Sequence, residues 1–386
     1  MEDREVIEFG IENYQDNFIN PNMNHEIPEH YQDHEFDHEE DIRSQHIGSE
    51  INTLNSPNLE IHNKDEYIKS YHSFNKLYGI SFQNNNSTLR LAVSSLETCN
   101  SNKIEIIELD RKNEKLISTC SEEVEFPCSK IMWSPSENNN TVLASTSDIL
   151  RLYKYSDISG KLNQVCALNK KQGVGNGGPL TSMDWNRQNP SIIGVCSIDT
   201  TVTIWDLTKN EVKTLLIAHD KEVYDMCFGQ DENVFISTGA DGSVRLFDIR
   251  SLDTCSVLFE SQDNSPITRV AWNLNNPNFV AALGLDKNLI YVIDQRMANS
   301  PYAFLNYHTN VVNAISWAPK SNAYLCSAGD DKNAYIWDIQ LIANKSDDPV
   351  MSFNAGFEID NLSWSYTHDE WIGITGGNYL QILRVK

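Results

Sequence analysis

The sequence lacks any apolar run that approaches the ~20 residues needed for a membrane-spanning helix. Its first ten residues, MEDREVIEFG, also lack the basic segment and apolar core of a secretory signal peptide. None of its eight cysteines forms a Cys-x-x-Cys pair, so neither a disulfide framework nor a zinc site is indicated. We therefore expect a chain with no membrane segment and with reduced thiols, located in the cytoplasm and the nucleus.

Positive charge is scarce as well: 30 Lys and Arg residues stand against 54 Asp and Glu residues, a formal net charge of −24. Because such a surface repels phosphate backbones, we expect no direct nucleic-acid partner. Residues 1–65 are especially acidic, with 17 Asp and Glu residues against three basic ones, and they show little apolar periodicity. This composition predicts a disordered acidic tail over residues 1–65.

From Tyr67 onward the sequence is repetitive. A short segment of alternating apolar and polar residues ends in an aromatic residue seven times, at intervals of 43 to 52 residues. A period of roughly 40–50 residues built from such strands is typical of a propeller blade, whose apolar faces are covered by neighbouring blades. The sequence therefore predicts an all-β, seven-bladed β-propeller over residues 66–386. The seven aromatic residues, called anchors below, are Phe82, Trp133, Trp185, Phe228, Trp272, Trp317 and Trp364.

The last segment, LQILRV, has the pattern of the third strand of a blade. A four-stranded last blade then needs an outer strand from another part of the chain. The segment EYIKSY, residues 66–71, directly precedes the first blade and can supply this strand. We expect it to complete the last blade, which would close the ring and cover a sheet edge.

The fourth repeat contains His219, Ser237 and Asp241, the three residue types of a hydrolase triad. A triad needs an exposed serine beside an oxyanion hole, and the sequence shows no strained turn that would present one. The motifs VTIWD and AYIWD, which end at Asp206 and Asp338, instead resemble the signature of WD repeats. In that family a His, a Ser or Thr, a turn Asp and a Trp form a buried hydrogen-bond relay, which implies a structural role. The sixth repeat contains the complete set, as His308, Ser327, Asp331 and Trp337.

The other repeats deviate from this pattern. In the fourth repeat Phe247 replaces the Trp and cannot donate a hydrogen bond. The third and fifth repeats keep the turn aspartate, Asp199 and Asp286, without the upstream histidine, and the second repeat keeps Asp148 one residue closer to its aromatic Tyr153. We expect apolar packing to stabilise these blades in place of the relay.

Longer motifs resemble one particular WD-repeat family. They include PLTSMDWN (179–186), LIAHDKEVYDMCF (216–228), VVNAISWAPKS (311–321) and DKNAYIWDIQ (331–340). The family is the group of scaffolds typified by the plant TRANSPARENT TESTA GLABRA protein and its animal counterpart. The resemblance extends from about residue 67 to the end of the sequence and implies non-catalytic assembly without a metal or other cofactor. The partners it implies are DYRK-type protein kinases and Myb or basic helix-loop-helix transcription factors.

The same resemblance implies an alternative function, that of a substrate receptor of a cullin-RING ubiquitin ligase. Docking on the ligase adaptor is associated with a W/Y-D-x-R box. The segments FDIR (247–250) and IDQR (293–296) resemble this box with an altered aromatic residue. The residues predicted to dock on the adaptor are Asp248, Arg250, Asp294 and Arg296.

Propellers recruit partners on their narrow face, where the inner strands begin and where the residues before the turn aspartates lie. Strand alternation predicts that the residue four positions before each anchor faces this rim. The mixture of apolar and acidic side chains predicts an apolar pocket ringed by charge, suited to a basic, extended peptide. The residues predicted to bind partners are Tyr78, Thr181, Ile198, Glu222, Tyr224, Thr268, Leu285, Asn313 and Asp330.

Overall fold

The computed structural model describes residues 51–52, 67–98, 101–136, 141–169, 177–297, 300–342 and 348–385. These residues form 29 strands and one four-residue helix, α1 (Ile339–Ile342). In this part of the chain, no helix has the length and apolar character that a membrane crossing requires. Most of the predicted acidic tail lies outside the described residues, so its disorder stays a prediction.

Two strands precede the repeats, β1 (Ile51–Asn52) and β2 (Ile68–His72). Blade one contains β3 (Leu77–Phe82), β4 (Arg90–Ser95), β5 (Asn102–Asp110) and β6 (Lys115–Val124). Blade two contains β7 (Lys130–Trp133), β8 (Val142–Thr146), β9 (Leu150–Ser156) and β10 (Lys161–Leu168). Blade three contains β11 (Leu180–Trp185), β12 (Ile192–Ser197), β13 (Thr201–Asp206) and β14 (Glu211–Ile217).

Blade four contains β15 (Val223–Phe228), β16 (Val234–Gly239), β17 (Ser243–Asp248) and β18 (Ser251–Glu260). Blade five contains β19 (Ile267–Trp272), β20 (Phe279–Gly284), β21 (Ile290–Asp294) and β22 (Ala303–Leu305). Blade six contains β23 (Val312–Trp317), β24 (Tyr324–Gly329), β25 (Asn333–Asp338) and β26 (Met351–Asn354). Blade seven contains β27 (Asn361–Trp364), β28 (Trp371–Gly376) and β29 (Tyr379–Arg384).

The seven sheets form a ring. The first strand of each blade, called the inner strand, contacts the inner strands of both neighbouring blades, and β27 contacts β3. Each inner strand ends at its predicted anchor, from Phe82 in β3 to Trp364 in β27. The prediction of an all-β propeller with seven blades is therefore confirmed.

The apolar core lies between neighbouring blades. Ile192 and Val202 of blade three belong to one buried cluster with Met226 and Phe235 of blade four. This arrangement follows from the alternation of side chains along each strand, which gives every sheet an apolar face to cover. Gly194 shows how closely the blades approach, because an added Cβ would overlap the end of the Met226 side chain. A larger residue there would require Met226 to change its conformation.

The ring is closed by β2, which pairs with β29 and places Tyr71 opposite Leu380. The prediction that the segment before blade one completes the last blade is confirmed. Side chains also fix this strand to blade one. The Tyr71 hydroxyl donates to Glu105 Oε2 over 2.7 Å, and Ser73 Oγ donates to Glu105 Oε1 over 2.9 Å. Glu105 is 8% exposed. Water therefore has little access to the site and cannot readily replace the carboxylate as the acceptor of these two hydroxyl groups.

Blade six has a fifth strand. Within the range predicted as the tail, β1 pairs antiparallel with β26, with Ile51 opposite Phe353 and Asn52 opposite Ser352. The backbone of β1 thereby covers the outer edge of this blade, as added strands do for exposed sheet edges.

We predict that Glu105→Ala destabilises the closed ring. The substitution leaves the Tyr71 and Ser73 hydroxyls without their acceptor, which should lower the free energy of unfolding by roughly 1–3 kcal/mol. Thermal or urea denaturation measures this loss. The control is Glu123→Ala on the exposed outer strand of the same blade, which should change stability little. An equal loss in both variants would contradict a specific role of Glu105 in closure.

Candidate functional site

Blade six contains a complete hydrogen-bond relay. His308 Nδ1 lies 2.9 Å from Asp331 Oδ2, and His308 Nε2 lies 2.8 Å from Ser327 Oγ. Trp337 Nε1 donates to the same Ser327 oxygen over 2.9 Å. The Asp331 carboxylate also accepts the backbone N–H of Asn333 in its own turn and that of Thr309, which follows His308. Ser327 and Trp337 are fully buried, so the relay connects strands to each other and not to solvent.

Blade four has the same relay without its tryptophan. His219 Nδ1 lies 3.0 Å from both carboxylate oxygens of Asp241, and His219 Nε2 lies 2.8 Å from Ser237 Oγ. Burial opposes ionisation of Asp241, but its hydrogen bond to His219 and the nearby imidazole charge outweigh this and lower its pKa. Ser237 is completely buried. A solvent-borne substrate therefore cannot reach it, and this trio is not arranged as a hydrolase triad.

Blade three shows what the relay loses without its acceptor. Val195 occupies the position that Ser327 has in blade six, judged from the strand register. Trp205 Nε1 is consequently buried without a hydrogen-bond partner among the described residues. Asp199 still stabilises its turn, where it accepts the Thr201 hydroxyl over 2.6 Å. Packing therefore holds Trp205 where hydrogen bonding holds Trp337.

A cavity opens at the end of the ring where the inner strands begin, and we call it the mouth cavity. Its volume is about 460 Å³. Each of the seven blades contributes the residue four positions before its anchor. These residues are Tyr78, Ser129, Thr181, Tyr224, Thr268, Asn313 and Asp360.

Simple strand alternation is not what directs these side chains to the mouth. In five blades the pairing register of the inner strand shifts at this residue, which leaves Tyr78, Thr181, Tyr224, Thr268 or Asn313 without a paired residue. Each is the extra residue of a β-bulge, and bulges re-aim side chains next to binding sites. The sequence analysis placed these five residues at the rim because of strand alternation, whereas the structure attributes their orientation to the bulge.

The structure gathers six of the nine predicted partner-binding residues into the mouth cavity. These are Tyr78, Thr181, Tyr224, Thr268, Leu285 and Asn313. Ile198, Glu222 and Asp330 lie outside its lining. Asp330 is connected to it through Asn313 Nδ2, which donates to Asp330 Oδ1 over 2.6 Å. Ile198 and Leu285 are 44% and 42% exposed, so both present apolar surface beside the opening.

A cluster of charged side chains lies below the mouth, in the central channel. Lys130 Nζ lies 3.2 Å from Asp225 Oδ1 and 3.1 Å from Ser182 Oγ. Burial lowers the pKa of Lys130, but the charges of Asp225 and Asp184 outweigh burial and leave this pKa raised. Burial raises the pKa of the Asp184 carboxyl. Arg269 completes the cluster at the boundary between the channel and the mouth cavity, since it lines both.

The sequence analysis missed these channel residues. Lys130, Asp225 and Arg269 each lie three positions before an anchor, and Asp184 lies one position before its anchor. The signal was present as a charged residue within an otherwise apolar inner strand. Among the described residues, no group of three or more His, Cys, Asp and Glu side chains is placed to hold a metal ion.

The predicted adaptor-docking residues lie at the other ends of the blades, away from the mouth. Arg250 follows β17 and its Nη2 lies 2.6 Å from Asp248 Oδ2. Arg296 follows β21 and its Nη2 lies 2.6 Å from Asp294 Oδ2. The two arginine side chains are 59% and 63% exposed. Both are therefore oriented by a carboxylate two residues earlier and remain available to a partner.

Comparison with known proteins agrees with this geometry. Residues 169–206, 209–248 and 299–338 match the family described as WD domain, G-beta repeat. The chain is 37% identical over 331 residues to the DDB1- and CUL4-associated factor 7 homologue of Dictyostelium discoideum, covering 82% of this chain and 98% of the relative. It is 32% identical over 407 residues to a WD repeat-containing protein of Schizosaccharomyces pombe, covering 86% and 93%. A WD repeat-containing protein of Saccharomyces cerevisiae is 31% identical over 355 residues, covering 69% and 68%.

The fold, the relays and the bulged rim together define a WD-repeat β-propeller with a mouth suited to binding other proteins. Within that class, the chain belongs to the family that includes the DDB1- and CUL4-associated factor 7 homologue, because the alignment spans nearly the whole of that relative.

We predict that Trp337→Phe costs more stability than Trp205→Phe. Both substitutions remove an indole from a buried site, but only Trp337 loses a hydrogen bond and leaves Ser327 with one partner fewer. The difference in the free energy of unfolding should be about 1 kcal/mol. Parallel urea denaturation of the two variants measures it. Equal losses would mean that the relay of blade six contributes no more than packing.

Proposed function

We propose that this chain is a non-catalytic protein-interaction scaffold that binds its partners at the mouth cavity. The observation that carries the proposal is the convergence of seven residues, one from each blade and each four positions before its anchor, on a single cavity of about 460 Å³. Clefts of this size that combine apolar surface with a few convergent polar groups are typical binding sites. Tyrosines contribute to such sites because they bury large apolar area with little loss of conformational freedom.

The proposed partners are protein kinases of the DYRK type and transcriptional regulators of the Myb and basic helix-loop-helix classes. The sequence motifs that resemble the plant and animal scaffolds support this assignment. The rim carboxylates Glu222, Asp330 and Asp360 favour a partner segment that carries basic residues. We also propose that the protein acts in the cytoplasm and the nucleus, where such partners would be found.

We predict that Tyr224→Ala and Asp330→Arg each reduce capture of these partners. Tyr224→Ala removes an aromatic surface from the mouth, and Asp330→Arg reverses the charge beside it. Each should reduce the amount of kinase recovered with the tagged full-length chain by about tenfold, as expected when a central contact is lost. Quantitative mass spectrometry of the native complex measures this recovery.

Matched controls for this experiment lie elsewhere on the propeller. Tyr324→Ala removes an exposed tyrosine at the opposite ends of the strands, and Asp253→Arg reverses a charge on the outer strand of blade four. Both should leave recovery unchanged. Unchanged recovery with Tyr224→Ala and Asp330→Arg as well would remove the mouth cavity as the partner site.

A second function is supported by a specific observation. The relative with 98% coverage carries the name of a DDB1- and CUL4-associated factor, and Arg250 and Arg296 are exposed and oriented by Asp248 and Asp294. We propose on this basis that the chain also serves as a substrate receptor of a cullin-RING ubiquitin ligase. Docking of the ligase adaptor away from the mouth would leave the mouth cavity free for the substrate.

We predict that the double variant Arg250→Ala, Arg296→Ala loses the ligase adaptor while it keeps the partners bound at the mouth. The reason is that guanidinium groups in a fixed orientation are strong interface contacts. Co-purification of the adaptor with tagged chain measures the effect, and Lys320→Ala, which removes another exposed cation, serves as the control. Equal adaptor recovery with the unaltered chain, the double variant and Lys320→Ala would exclude Arg250 and Arg296 from docking.

A further inference from the structure

Arg269 carries a charge that the protein does not neutralise by direct contact. Its Nη2 donates to the Tyr78 hydroxyl, and its guanidinium carbon lies 6.0 Å from the centre of that ring. A guanidinium has five N–H donors. Within the described residues, Arg269 makes this one hydrogen bond, to a neutral phenol, and no ion pair with a carboxylate. Partly buried charges are usually paired, because an unpaired charge is costly to remove from water.

The channel carboxylate whose charge acts on Arg269 is that of Asp225, which accepts four other hydrogen bonds, three of them at Oδ1. Asp225 accepts from Ser182 Oγ over 2.5 Å and from Lys130 Nζ over 3.2 Å. It also accepts the backbone N–H groups of Met226 and Val270, over 3.0 and 3.1 Å. The charge of Asp225 acts on Arg269 at a distance. Among the described residues, Arg269 makes no direct hydrogen bond to this carboxylate.

The position of Arg269 directs those donors towards a ligand in the mouth. The residue lies next to the bulged Thr268, lines both the mouth cavity and the channel, and is partly exposed. A ligand group that enters the mouth along the channel axis therefore meets the guanidinium at the floor of the cavity. A carboxylate can accept two parallel N–H groups from such a fork, which is the strongest contact the site can offer.

The walls of the same cavity carry the opposite charge. Asp286 and Asp360 line it, and Asp330 is attached through Asn313. Burial raises the pKa of Asp360, and the nearby charges of Asp330 and Glu358 raise it further. These carboxylates disfavour a doubly charged phosphate group more than a singly charged carboxylate. They also favour cationic residues on either side of the group that reaches the floor.

We propose that the mouth cavity recognises an extended peptide segment in which an Asp or Glu side chain binds Arg269 and is flanked by Lys or Arg residues that face the rim carboxylates. This inference deepens the proposed scaffold function and rests on the mouth cavity being the partner site. It specifies the sequence pattern that a partner segment carries.

Selection of peptides from a random display library on the immobilised full-length chain tests the proposal. Peptides selected by the unaltered chain should share one acidic position with basic neighbours. The variant Arg269→Gln, which keeps a polar side chain but removes the charge, should lose the acidic preference. The matched control is Arg187→Gln, which alters another channel arginine, stacked over Tyr366 at 4.5 Å. This control should select the same peptides as the unaltered chain.

A synthetic peptide from the selection gives the quantitative test. Replacement of its acidic residue by the corresponding amide should weaken binding to the unaltered chain about tenfold, and binding to Arg269→Gln by less than about twofold. Arg269→Lys keeps the charge and should retain the preference with weaker affinity. Equal affinity of the acid and amide peptides for the unaltered chain overturns the proposal, whatever the stability of the variants.

The outcomes separate this inference from the proposed function. Selected peptides that lose binding to Tyr224→Ala but show no acidic position would support the mouth as the partner site and overturn the role of Arg269. If no selected peptide loses binding to Tyr224→Ala, both the partner site and the inference fall. An acidic position that disappears only with Arg269→Gln supports both.

Discussion

The whole structure depends on the need of each small twisted sheet to cover two apolar faces. A single four-stranded blade cannot do this, and a row of blades leaves two faces exposed at its ends. A closed ring removes both ends, which is why the pairing of β2 with β29 and the Glu105 contacts are as important as any one blade. The central channel, and with it the mouth cavity, exists because the ring closes around an axis.

Buried polar groups show how little of the repeat signature each blade requires. Blade six satisfies the full relay from His308 to Trp337, blade four does without the indole, and blade three buries Trp205 with no partner for its Nε1 among the described residues. Each of these three blades nevertheless contains the same four antiparallel strands. Interblade apolar packing therefore establishes the fold, and the relays add rigidity where the sequence provides an acceptor at the correct position. The complete burial of Ser237 agrees with the structural role that the sequence predicted for His219, Ser237 and Asp241.

The mouth combines two features with different origins. In five blades a bulge in the inner strand turns one residue towards the opening, and in blades four and five the next residue remains in the channel. Tyr224 and Thr268 thus belong to the rim, whereas Asp225 and Arg269 belong to the layer below. Arg269 therefore lies at the floor of the mouth cavity, and the carboxylates of Asp286 and Asp360 line its walls. The proposed recognition of a mixed-charge peptide follows from this arrangement of opposite charges.

The sequence by itself determined the number of blades, the seven anchors, the closing strand and the relay residues, because each depends on local periodicity or on a motif of adjacent residues. Six of the nine residues that it predicted to bind partners line the mouth cavity, although alternation was an incomplete reason. Only the tertiary structure decided that Lys130, Asp184, Asp225 and Arg269, which are distant in sequence and come from four blades, share one channel. The structure likewise decided which of them is paired. Neutralisation of a charge depends on distances between blades, and no periodicity along the chain encodes those distances.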